Sequence, residues 1–196
     1  MRPRSTLARL EKEKGAVLQG VLALLLVTAV YILILLIYIL RGYPAAAPSV
    51  LPLALTEQSK YQVWYQGPLF FVATCVVAGL LLLISRVRGS GEKFGIVFAR
   101  ISFATVVPFA CTTMLIELGL ALLLAVGVLE PKATVSWLSG AGSWFANGYQ
   151  LVALVWIFAL LTLTVRLTAQ TKWWMSLALG LLLLVVYGLP IGLFIR

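Results

Sequence analysis

The sequence contains no histidine and no aspartate. The first absence removes the commonest general base, the commonest metal ligand and the usual haem axial ligand. The second leaves six glutamates as the only acids, and charged residues of both signs make up just 11% of the chain. A soluble domain carries about 25%. Cysteine is nearly absent too. Cys75 and Cys111 both fall inside apolar runs, where a thiol behaves as a small hydrophobe, and two such residues give neither a disulfide framework nor a metal site. There is no G-x-x-x-x-G-K-[ST] phosphate loop, no G-x-S-x-G elbow and no H-E-x-x-H pair. Gly89-Ser90-Gly91 is a short polar turn and not a phosphate cradle. No catalytic, cofactor-binding or metal-ligating residue is assignable, no cofactor is expected, and the expectation is a protein that is not an enzyme.

What the chain has in abundance is apolar side chains. They make up 62% of 196 residues, with a mean hydropathy of +1.07. A bilayer is the solvent that suits such a composition. A helical span needs about 20 apolar residues, and five segments qualify: Val17–Leu40, Pro68–Ser85, Ile101–Leu129, Tyr149–Val165 and Trp173–Ile195. The expected fold is all-α, an integral membrane bundle of five transmembrane helices over residues 17–196. Residues 1–16 form a basic tail ahead of it. The first apolar core is longer than the h-region of a cleaved signal, so it reads as a retained anchor.

Cations fix the expected orientation. With the N-terminus in the cytoplasm, eleven Lys and Arg residues lie inside and four (Arg41, Lys60, Lys132, Arg196) outside. The C-terminus then lies outside. The formal charge of +9 fits this topology and contact with anionic lipid better than it fits nucleic acid. Aromatic and basic anchors at the interfaces agree: Trp64, Trp144, Arg166, Lys172, Trp173 and Trp174. The outer loops 42–67 and 130–148 hold Pro44, Pro48, Pro52 and Pro131. Proline at that density favours extended or turn geometry.

Glu117 is the one acid within a long apolar stretch. An ionisable group in lipid must be paired, neutral or facing a cavity. Counted from Ile101, it lies about 24 Å along its span, near the middle of the bilayer or beyond. Tyr31, Thr112, Thr113 and Tyr187 are its candidate polar neighbours. One reading is a protonated glutamate acting as glue between helices. The other is a proton or cation site in a pathway. Pro108 and Pro190 each leave a carbonyl without its helical donor, and each is expected to kink its helix. Small-xxx-small pairs at Ala16/Gly20, Ala121/Ala125 and Gly188/Gly192 permit close helix packing.

Lys93-Phe94-Gly95, Ala99, Phe103 and Pro108, then Leu154-Val155-Trp156 and the basic turn from Arg166 to Lys172, together resemble the YIP (Ypt/Rab-interacting protein) domain family. The resemblance covers about Val17 to Arg196 and is closer to the compact prokaryotic members. It implies a five-span protein of the plasma (inner) membrane of a prokaryote, with the endoplasmic reticulum or Golgi as the alternative. Eukaryotic members bind Rab-type GTPases and usually carry a longer N-terminal region with an Asp-containing motif. This chain has no Asp, so a Rab-type GTPase is not an expected partner. The first functional expectation is a membrane-organising protein or accessory subunit that touches lipids and another membrane protein or a second copy of itself. The second is a small transporter or channel that uses Glu117.

Overall fold

The computed structural model describes residues 5, 7, 8, 15–43 and 55–194. The described chain is helical, and five of its helices are long and apolar enough to cross a membrane. They make up a multi-pass integral membrane protein. Helix α1 spans Ala16–Leu40, α2 Leu55–Val87, α3 Phe94–Phe109 and α4 Leu115–Ala125. A wide π-turn, Ala110–Met114, joins α3 to α4, so the two run as one span, Phe94–Ala125. A short helix α5, Pro131–Ser139, follows; then come α6, Ser143–Ala169, and α7, Trp173–Phe194. We call the end of the bundle where α1 begins the lower end and the end where it finishes the upper.

Three of the five spans differ in their bounds from the sequence expectation. Helix α2 begins at Leu55 and not at Pro68, which lies inside it. Pro68 lies on an exposed face of the helix, and a span tolerates a proline where local adjustment or ordered water satisfies the carbonyl it frees. Residues 55–66 contain no breaker, so Trp64 sits within the helix and not ahead of it. The next span starts at Phe94, seven residues before Ile101, and ends at Ala125, so Val126–Leu129 fall outside it. Arg100 made that first turn look like loop, but its charge is matched within the fold. The fourth span starts at Ser143, ahead of Tyr149, and runs on to Ala169, past Val165. The loop expectation for 42–67 and 130–148 is corrected accordingly. Residues 55–67 are helical, and Pro131 opens α5 at a first-turn site that lacks a helical donor anyway. Pro44, Pro48 and Pro52 lie outside the described residues, as do the charges of the tail.

The lower half packs around a buried apolar core. Val77, Leu81, Val97, Ile101, Leu161 and Val165 are fully buried there. Three of its buried hydroxyls bond their own helices: Ser85 Oγ donates to the Leu82 carbonyl, Ser102 Oγ to Phe98 and Thr164 Oγ1 to Leu160. Two small-residue contacts set the helix spacing. A Cβ on Gly20 would stand 3.0 Å from the Ala99 Cα, and Ala16 packs on Ala99 with Leu7, so Ala16/Gly20 is a packing pair within the chain. Gly180 lies against Thr162, where an added Cβ would meet Oγ1 and stand 3.1 Å from the backbone N and Cα. Gly180→Ala is therefore expected to destabilise the bundle by about 1–3 kcal/mol through overpacking. Thr162→Ala in the same chain should recover part of the loss, which thermal unfolding in detergent would measure. The other two small pairs behave differently. Ala121 is buried but Ala125 is exposed, and Gly188 has open space beside it.

Arg100 sits near the lower end and is 1% exposed. Its Nε donates to the Leu7 carbonyl at 3.2 Å and its Nη1 to Thr168 Oγ1 at 3.2 Å. The same Nη1 pairs with Glu92 Oε1 at 2.8 Å. Arg100, one of the eleven cations counted on the inside and expected in the loop ahead of Ile101, is thus a buried clamp. It joins the N-terminal segment, the α2–α3 turn and the end of α6.

Candidate functional site

The upper half holds a cavity of about 720 Å³. Its floor is Leu24, Thr105 and Val106, and beneath these lies the packed core. Exposed Ser139, Asn147 and Gln150 ring its upper end, and half-exposed Leu154 lines one flank. Glu117 opens into this chamber and, among the described residues, is the only Asp, Glu, Lys or Arg in its lining.

Two tyrosines hold the carboxylate, one on each oxygen. The Tyr38 hydroxyl donates to Oε2 at 2.6 Å, and the Tyr149 hydroxyl donates to Oε1 at 2.5 Å. These bonds pin α1 and α6 to α4. Each carboxylate oxygen keeps lone-pair capacity for a further donor.

Local sequence explains how the residues meet. Gly42 takes φ +66 just past α1, a left-handed conformation that glycine adopts without steric penalty. This forms a Schellman cap, in which the Tyr43 N–H bonds the Tyr38 carbonyl at 2.8 Å. The cap folds the Tyr43 ring onto Tyr38, with centroids 4.6 Å apart, and brings Tyr43 to the chamber wall. Burial pushes the Tyr43 hydroxyl up to about 12, and the nearby Glu117 charge adds to the shift. It therefore stays a neutral donor at physiological pH.

The π-turn aims Glu117. Val107, with 37% exposure, faces outward. In an unbroken α-helix at about 100° per residue, Glu117 would lie about 80° from that outward direction. A π-turn absorbs one extra residue, which moves Glu117 to about 180° from Val107. Exposure follows the shifted register: Cys111, Leu115 and Leu122 are exposed while Met114 and Ala121 are buried. Pro108 starts the irregularity, and Thr112 Oγ1 donates to the Pro108 carbonyl at 2.6 Å. Inserting one alanine after Leu115 adds about 100° that the π-turn does not absorb and should turn the carboxylate toward lipid. We expect a stability loss of about 3 kcal/mol and loss of any Glu117-dependent activity. Cys111→Ala should stay within about 0.5 kcal/mol of the original. Thermal unfolding of the two variants checks the pair.

The sequence-nominated residues divide. Tyr31, Thr113 and Tyr187 line the chamber with Glu117. Thr112 does not line it and serves its own helix. Pro190 lies inside α7, one turn from Tyr187. Trp64, Trp144, Trp173 and Trp174 are exposed, as are Arg166 and Lys172, and the Arg166 guanidinium stands 5.8 Å from the Trp173 ring centroid. Cys75 and Cys111 are free and exposed.

Tyr38 and Tyr149, the direct partners, were not foreseen. The depth estimate concealed them. Glu117 lies eight residues from the end of its span at Ala125 and 23 from its start at Phe94, so it sits in the upper part of that span, about 12 Å from its upper end. Tyr38 is two residues from the end of α1 and Tyr149 six from the start of α6. Matching depths would have been the signal. Compared with family models, curated proteins and solved structures, the chain matches none.

Proposed function

We propose that this protein binds a small solute in the upper chamber and moves it across the membrane, with Glu117 bearing the charge of the transported species or of a proton. One observation carries the reading: a carboxylate held by two tyrosines opens into a cavity whose floor is the packed core. A volume of about 720 Å³ falls within the range of small-molecule sites. A half-buried carboxylate with no basic partner among the described residues needs a proton or a cation, and either can be exchanged through the ringed mouth. By the positive-inside reading, this mouth faces away from the cytoplasm, in the plasma membrane of a prokaryote. The YIP resemblance remains part of the proposal at the level of architecture. The rival view, a membrane-organising protein or accessory subunit, has no comparable feature in its favour, because the exposed apolar side chains are those expected of any lipid-facing bundle.

The test is flux. The purified chain is reconstituted into sealed liposomes, and a panel of cationic, neutral and anionic solutes is offered under an imposed pH gradient. Uptake of at least one solute above that of protein-free vesicles is expected. Silence across the whole panel sinks the transport reading.

A further inference from the structure

Resting on that reading, we propose that the chamber's ligand is an organic monocation with an apolar, preferably aromatic, body. Two independent features select this class. The first is charge. Among the described lining residues Glu117 is the sole carboxylate and there is no Lys or Arg, so one positive charge balances it, whereas an anion or a dication leaves charge uncompensated at low dielectric. The second is the wall. Tyr31 stands 6.0 Å from Phe109 between ring centroids, Phe109 stands 5.9 Å from Phe70, and Tyr43 stacks on Tyr38. All five rings line the cavity. Aromatic faces attract organic cations and also accommodate apolar groups. Metal and simple ammonium ions would gain little from such a wall. Leu154 on the exposed flank adds a route by which an amphiphilic cation can arrive from the bilayer itself.

The experiment is equilibrium dialysis of the purified full chain in a neutral detergent with three probes of related shape: tetraphenylphosphonium, neutral triphenylphosphine oxide and anionic tetraphenylborate. Tetraphenylphosphonium should bind, and tetraphenylborate should not displace it. Glu117→Gln should weaken the cation by about 30-fold or more, the loss expected when one member of a buried charge pair is removed. Tyr31→Leu should weaken it about fivefold. Gly188→Phe, which fills open space at the chamber wall, should abolish binding. Melting temperatures certify that each variant is folded. If Glu117→Gln does not fold, Tyr31→Leu and Gly188→Phe still decide the matter. Cation affinity indifferent to Glu117→Gln, or equal displacement by tetraphenylborate, overturns the cation assignment. In that event, binding of the neutral probe that is lost in Gly188→Phe leaves the solute chamber standing. If no probe responds to Gly188→Phe, the chamber reading falls as well.

Discussion

Glu117→Gln is expected to leave the bundle folded while reducing solute flux by at least about 30-fold. Removing one member of a buried charge pair costs about 2–5 kcal/mol, and about 1.4 kcal/mol corresponds to a tenfold change. The fold survives because Gln keeps the shape and one acceptor oxygen. Only one of the Tyr38 and Tyr149 hydroxyls loses its acceptor, and it can turn to water in the chamber, so the stability penalty should stay near 1 kcal/mol. Tyr38→Phe and Tyr149→Phe each remove one donor from the carboxylate. Each should reduce flux by about tenfold, matching the weight of a hydrogen bond to a charged group. The measurement is initial uptake into liposomes at equal protein density. Undiminished uptake by Glu117→Gln would show that the carboxylate only joins helices.

The second large effect belongs at the lower end. Arg100→Ala strips a fully buried guanidinium from the Leu7 carbonyl, Thr168 and Glu92. It leaves a carboxylate whose side chain is only 13% exposed without its cation. Breaking a buried pair from one side costs about 3–5 kcal/mol, and that loss is the expected result in denaturant titration. Arg100→Lys should recover only part of it, because an ammonium lacks the planar fork that reaches several acceptors at once. The double change Arg100→Met with Glu92→Gln should be milder than Arg100→Ala, since replacing both charges removes the orphan. A loss below about 1 kcal/mol for Arg100→Ala would show that the cluster behaves as a surface pair.

The two sites also mark how far the sequence could be read. Five helices and their order were legible because runs of Leu, Val and Ile of sufficient length have one stable solution in lipid. Glu117 was legible by its isolation. Its partners were not, because the boundary of its span was drawn from charge. Arg100 was treated as a solvated loop residue, which displaced the helix start to Ile101 and placed Glu117 too deep to meet Tyr38. The π-turn was also invisible, because Pro108 indicates a disturbance but not the extra residue that follows. A buried arginine and a one-residue register shift both depend on contacts distant in sequence, from Glu92 and Thr168 in one case and from α1 and α6 in the other.

Helix α2 carries a final implication. Its 33 residues extend for about 50 Å at 1.5 Å each, whereas the hydrocarbon layer is about 30 Å thick. The stretch from Pro68 to Val87 already fills that thickness. Crossing upright with Val87 at the lower edge, the helix would carry the turns from Leu55 to Gly67 about 20 Å beyond the oily layer, with Trp64 81% exposed among them. Ser59, near its top, belongs to the cavity wall. In that setting the vestibule would reach the headgroup layer, where an adsorbed amphiphile meets this protein before it enters the hydrocarbon.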